Sequence, residues 1–225
     1  MMNVLNLGSI KQNLIQVAHF CAMKGLVPAT SGNFSARLRN QEILISVSGK
    51  DKATLAEGDL MLVDFLGRAK ASNLKPSAET LLHTQLYRTF PNANFIAHFH
   101  SSSSAVLSKV LLKQGIKVLK LEGFELLKAL SGVLTHDYTE ILPIFPNNQN
   151  MEELADLIQP VLDKLANSEK PLHAYLLAGH GLYTWGSTQS ETIRHVDALN
   201  TLIESYLLEM QLNKAIQGKE EAVKV

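Results

Sequence analysis

The sequence predicts an α/β protein, and three features carry that prediction. Short apolar runs, such as Phe95-Ile96-Ala97-His98-Phe99 and Leu172 to Leu177, have the length and composition of buried strands. Longer segments of helical period lie around them, such as Ser9 to about Lys24 and Met151 to about Asn167. Residues able to bind a ligand gather where strands end, which is where open α/β sheets hold their ligands. There His98-Phe99-His100 closes one run, and Ala178-Gly179-His180-Gly181 follows another.

Composition sets the outer bounds. Of 225 residues, 46% are hydrophobic, enough for a proper core, and no repeat or composition shift divides the chain, so residues 1–225 read as a single domain. Lys plus Arg and Asp plus Glu are 21 each, so no overall charge draws the chain to nucleic acid or a membrane surface, and any anion must be held by a local site. Cys21 is the only cysteine, which excludes an internal disulfide and suits a reducing cytoplasm. Met1 to Ser9 lacks the basic-then-apolar pattern of a secretory leader, and no run approaches the roughly 18 apolar residues of a membrane helix.

In chain order, Ser9 is expected to cap the first helix, with Leu14, Val17, Ala18 and Cys21 on its apolar stripe, His19 off it, and Gly25 as the stop. Pro28 to Ser35 includes Ser31-Gly32-Asn33, a tight turn rich in N–H and O–H donors. Phe34–Leu38 and Glu42–Val47 read as strands joined at Arg39-Asn40-Gln41, and the second runs into Ser48-Gly49-Lys50, another donor-rich turn that carries a cation. The two turns are either ordinary hairpin chemistry or a shared anion pocket. After a turn at 54–59, the strand Leu60–Asp64 and a reversal at 65–68, Ser77 is a natural N-cap for a helix to about Phe90. Glu79 falls in its first turn, where it either serves the helix dipole or does acid–base work.

The two histidines of His98-Phe99-His100 share one face of a strand, because residues i and i+2 point the same way. Two neutral imidazoles on a rigid strand form half of a metal site. Flanking glycines make His180 the best third ligand, with His136, beside Asp137, as the rival. A helix Ser102 to about Lys113, a strand Ile116–Leu121, helical spacing at Phe124–Leu130 and a strand Thr139–Ile144 follow. Glu122 sits just past the end of its strand, either a solvated loop residue or a functional carboxylate. The last helix runs from Thr188 to about Gln217 and carries His195, with Lys219–Val225 as a charged tail.

These motifs together resemble the class II aldolase/adducin family over about Ile10 to Tyr206. The landmarks occur in order: Thr30 to Ser35, Val47-Ser48-Gly49-Lys50, Lys75-Pro76-Ser77-Ala78-Glu79, His98-Phe99-His100 and Gly179-His180-Gly181. Lys120 to Glu125, Leu142 to Asn147 and Tyr183-Thr184-Trp185-Gly186 look like the branch that dehydrates 5-methylthioribulose 1-phosphate. The resemblance implies a three-layer α/β/α sandwich with a mixed, largely antiparallel central sheet, and a cytoplasmic homotetramer with active sites between subunits. It implies one zinc per subunit on His98, His100 and His180, and substrate phosphate on Ser31, Gly32, Asn33, Ser48, Gly49 and Ser77. The dehydratases place their acid–base glutamate at Glu122, whereas aldolases place theirs at Glu79. Phe99, Tyr183 and Trp185 are apolar candidates for the methylthio group.

A fuculose- or rhamnulose-phosphate aldolase is the nearest alternative, and an adducin-like scaffold without catalysis the next. A cupin, a metallo-β-lactamase-like site and an amidohydrolase barrel fit less well, since Ser101 to Ser104 follow the histidines and the chain is short for a barrel. No dinucleotide or Walker motif is present.

Overall fold

The computed structural model describes residues 6–38, 42–70 and 75–223, with side chains to 217. The expected reversal at Arg39-Asn40-Gln41 lies outside the described residues. Among the described residues eight strands form one sheet: β1 (Asn33–Arg37), β2 (Glu42–Ser46), β3 (Leu60–Asp64), β4 (Phe95–Phe99), β5 (Val118–Leu121), β6 (Glu140–Phe145), β7 (Ala174–Leu177) and β8 (Gly181–Gly186). Their order is β3-β2-β1-β4-β8-β7-β6-β5. Among the described strands only the β6–β7 pair is parallel, so the sheet is mixed and largely antiparallel.

Each face of the sheet packs against its own helices. On one side lie α1 (Leu7–Met23), α3 (Ser102–Lys113) and α5 (Gln189–Val223), with Leu14, Leu107 and Leu199 against Phe34, Phe95, Ala97 and Phe99. On the other lie α2 (Thr80–Thr89) and α4 (Met151–Ala166), with Leu82, Leu86 and Ile158 against Ile43, Ile96, Tyr175 and Tyr183. This is the expected three-layer α/β/α arrangement. Alternation along β4 divides its residues between the two cores, so Ile96 and His98 share the α2/α4 face.

Local signals behave as side-chain chemistry dictates, with some shifts. Asp64 accepts from the backbone N–H groups of Leu66 and Arg68, both at 2.9 Å, which makes the reversal at 65–68. Asn150 caps α4 by accepting from Glu152 and Glu153 at 3.1 and 3.3 Å. Cys21 is fully buried on the α1 stripe, and burial pushes its thiol up, out of the reactive range. Ser9 is not the cap of α1: Asn6 starts that helix one turn earlier and accepts from the Ser9 N–H at 2.8 Å. The strand expected from Ile116 begins at Val118, and the helical spacing after Phe124 is a short 3₁₀ turn over Glu125–Ala129. The charged tail is helical as far as Val223, and its last two residues lie outside the described ones. Among the described residues no helix is long and apolar enough to cross a membrane.

Candidate metal centre and active site

His98 and His100 leave the end of β4 on one face, and the β7–β8 hairpin brings His180 against them. The hairpin is tight. Leu177 pairs with Gly181, the His180 N–H donates to the Leu177 carbonyl at 3.1 Å, and Gly179 adopts φ +69°. Gly181 is needed for the approach, because a Cβ there would stand 2.3 Å from the Phe99 carbonyl oxygen and 3.0 Å from His98 Cε1. Backbone cannot yield to that contact, so Gly181→Ala is expected to cost about 1–3 kcal/mol and lower Tm by several degrees in thermal denaturation. An unchanged Tm would mean that the hairpin tolerates a wider path.

The three imidazoles converge through their Nε2 atoms, His98 to His100 at 2.9 Å and His98 to His180 at 3.4 Å. Zinc–nitrogen bonds of about 2.0–2.1 Å in a tetrahedron give an edge of about 3.3 Å, so these separations fit one divalent cation. His98 is fully buried, and its Nδ1–H donates to the Leu182 carbonyl at 3.1 Å, which leaves the Nε2 lone pair free for the centre. His180 Nδ1 is buried without a partner. Burial pushes His98 down to about 4 and His100 down to about 3, so both are neutral, as ligation requires. Together the three form a cluster able to hold a metal ion. His136, the rival third ligand, is exposed instead beside Asp137 and Glu125.

Glu79 stands at the N-cap position of α2, but its side chain makes no capping hydrogen bond. Helix α2 begins at Thr80, and the Glu79 side chain turns away from the helix N–H groups into the histidine cluster. Its Oε2 lies 3.2 Å from His98 Nε2 and its Oε1 3.1 Å from His180 Nε2. Asn33 Nδ2 and the Tyr183 hydroxyl donate to Oε2 at 2.7 and 2.9 Å. Burial by itself would raise the Glu79 carboxyl, but the two imidazoles and these two donors outweigh it and hold it at about 2. Ser77, the expected cap, accepts only a long 3.4 Å bond from the Glu79 N–H. Behind Glu79, Asn33 Oδ1 meets His83 Nε2, and His83 Nδ1 meets Ser35 Oγ at 2.7 Å.

Sequence reasoning put neither Tyr183, read there only as an apolar candidate for the methylthio group, nor His83 in the histidine cluster. Tyr183 lies opposite His98 across the β4–β8 pair and stacks on it with ring centroids 4.0 Å apart. Only the strand register, set far apart in sequence, reveals it.

Beside the histidines lies a cavity of about 220 Å³, lined by Thr30, Gly32, Asn33, Ser48, Gly49 and Ser77 among others, with Glu79 and His100 on its wall. A bridge between Val47 and Pro76 joins the 77–79 turn to the other two. Of the sequence candidates for phosphate, Ser31 does not line this cavity, and its hydroxyl is buried without a partner. Asn33 does line it, but its side-chain amide is committed to Glu79 and His83. Lys50 is not a free cation for the pocket, because it pairs with Asp59 at 2.9 Å.

Glu122 lies apart from these residues. Leu121 pairs with Glu140 at the start of β6, whereas Phe145 at the end of β6 pairs with Leu177 beside the histidine hairpin. The antiparallel edge strand therefore puts Glu122 at the opposite end of the sheet from His98, His100 and His180. There it is exposed and accepts a 3.2 Å bond from the Thr139 hydroxyl. The apolar candidates for the methylthio group fare unevenly too. Phe99 is in the core, Trp185 stacks on Phe90 at the far end of β8, and the Tyr183 ring is buried between His98 and Tyr175.

The profile of the Class II Aldolase and Adducin N-terminal domain matches residues 12–207. The chain belongs to the class II aldolase/adducin family. Within this family it is 43% identical over 202 residues to a methylthioribulose-1-phosphate dehydratase of Sorangium cellulosum, covering 89% of this chain and 92% of that one. A second methylthioribulose-1-phosphate dehydratase, of Methylococcus capsulatus, is 46% identical over 191 residues, with 85% and 89% covered. Among solved structures, an L-fuculose 1-phosphate aldolase superposes with a TM-score of 0.74 at 21% identity, covering 92% of this chain and 89% of that one. The L-fuculose-1-phosphate aldolase of Thermus thermophilus gives 0.67 at 24% identity, with 92% and 98% covered. At such identities the class II aldolases share the fold with this chain.

Proposed function

We propose that this chain is a zinc-dependent hydro-lyase of methionine salvage. It converts 5-methylthioribulose 1-phosphate to 2,3-diketo-5-methylthiopentyl 1-phosphate as a single-domain, cytoplasmic homotetramer with sites between subunits. The observation that carries the substrate is the 43–46% identity to methylthioribulose-1-phosphate dehydratases across at least 85% of the chain. The convergent histidines beside a donor-lined cavity support a metal-assisted reaction on a phosphorylated sugar.

In this reading His98, His100 and His180 hold the cation, which supplies Lewis-acid polarisation of the substrate ketone. The turns at 32–33, 48–49 and 77 bind the phosphate and so set the distance of the ketone from the histidines. A carboxylate takes the proton from the carbon next to the ketone and delivers it to the hydroxyl leaving one carbon further on, and the enol then tautomerises to the diketone. The reading gives this role to Glu122 and, because that residue lies at the far end of its own sheet, draws it from a neighbouring subunit. Exposed Leu126 (39%) and Leu134 (90%) in the same loop give that neighbour an apolar surface to cover. Glu79, held by Asn33 and Tyr183, orients the substrate.

Turnover of methylthioribulose phosphate beside fuculose and rhamnulose phosphates, with one purified sample, tests the reading. Cleavage of the last two with no dehydration of the first makes the chain an aldolase. Ser77→Ala is expected to raise KM about tenfold while lowering kcat less, because a phosphate contact remote from the reacting carbons acts equally in ground and transition states. Equal turnover of a non-phosphorylated sugar would remove the anion pocket from the mechanism.

A further inference from the structure

Among the described residues Lys52 is a buried cation with no carboxylate within ion-pair distance. It is 1% exposed, and none of the described ion pairs includes it. Its ammonium instead donates to two carbonyl oxygens, of Thr30 at 2.9 Å and of Lys50 at 2.6 Å. Taking an ammonium out of water is unfavourable unless a counter-charge offsets it, and two neutral carbonyls do so only in part.

The surroundings show where that counter-charge belongs. Thr30 and Lys50 belong to the two donor-rich turns that bound the cavity beside the histidines. Ala29 and Thr30 both take positive φ, 51° and 64°, a conformation that residues with a Cβ rarely adopt, and the Thr30 carbonyl ends on Lys52. The cavity lining contains no Lys or Arg and does contain the Glu79 carboxylate. Among these lining residues a phosphate dianion would meet the neutral donors of the turns and one carboxylate. Lys50, the nearby exposed cation, is engaged with Asp59.

We propose that Lys52 is the fixed counter-charge of this cavity, a positioning residue that acts from behind both turns on a bound phosphomonoester. The proposal rests on the anion-pocket reading above. It makes Lys52 a residue kept for the ligand at the expense of the fold.

The test compares wild type, Lys52→Gln, Lys52→Met and Ser77→Ala, with inorganic phosphate as probe in competitive inhibition and thermal-shift titrations. Gln keeps N–H donors for the two carbonyls, so it isolates the charge. In phosphate-free buffer Lys52→Gln is expected to melt at or above the wild-type temperature. Its inhibition constant for phosphate, and its KM for phosphorylated substrate, should rise about tenfold to a hundredfold, with kcat changing less. The thermal shift given by phosphate should shrink accordingly, in Lys52→Met as well. The proposal is overturned if Lys52→Gln binds phosphate as the wild type does, or if it fails to fold, which would show that the charge serves the structure. Failure of the pocket itself reads differently: wild type then binds no phosphate, or Ser77→Ala leaves its binding unchanged. Weakened Ser77→Ala beside an unaffected Lys52→Gln removes Lys52 alone.

Discussion

His98→Ala is expected to abolish stoichiometric zinc binding and to lower turnover by about a thousandfold, equivalent to several kcal/mol of charge stabilisation at the ketone. The size of the effect follows from how His98 is held. It is fully buried between Tyr183 and the two other imidazoles, and its Nδ1–H is pinned to the Leu182 carbonyl, so no solvent molecule or neighbouring side chain can take its place without rebuilding the centre. His100→Ala and His180→Ala should lose metal as well, and His136→Ala should keep it. Metal content per chain, measured on each purified variant beside a thermal melt, separates lost ligation from lost folding. A His180→Ala protein that is folded and fully loaded with zinc would give the third position to another residue.

The second large effect concerns the two glutamates. Glu122→Gln is expected to lower kcat by about 10²–10⁴-fold, the usual worth of general acid–base help, while retaining zinc. Glu79→Gln should do less damage. Both Glu79 oxygens are occupied, by Asn33, Tyr183 and the imidazoles, which suits a fixed orienting group better than one that must carry a proton between two atoms. Because Glu122 lies across the sheet from its own histidines, the two defects should complement each other. Mixing unfolded Glu122→Gln and His98→Ala chains and refolding them together should restore activity, with about a quarter of sites in a random mixture intact if each draws on two subunits. No recovery, with both parents folded and assembled, would require Glu122 to act within its own chain or not at all. A dead Glu79→Gln beside an active Glu122→Gln would make the mechanism aldolase-like.

Much of this was legible in the chain itself, where the controlling physics is local. The period-2 rule put His98 and His100 on one face. Helical spacing put Leu14, Val17, Ala18 and Cys21 into the core, and the glycines around His180 announced a hairpin. Caps and helix starts were less secure. Ser9 and Ser77 each had the chemistry of a cap, but Asn6 took the first position, and α2 started too late for the second. Capping residues compete over three or four positions within tenths of a kcal/mol to about 1 kcal/mol, and tertiary contacts decide among them.

The sequence by itself thus determined the elements, the paired histidines with their third partner, and the donor-rich turns. The tertiary structure decided everything that depends on which strand lies beside which and in what direction. Strand order and polarity are set by connections and by packing across the whole sheet, and no residue within a strand records them. The antiparallel run of β5 along β6 carried Glu122 away from the histidines of its own chain. Register between β4 and β8 put Tyr183 on His98, the start of α2 at Thr80 left the Glu79 side chain free to enter the histidine cluster, and the closing of two turns over Lys52 buried a charge that in the linear sequence looks like any surface lysine.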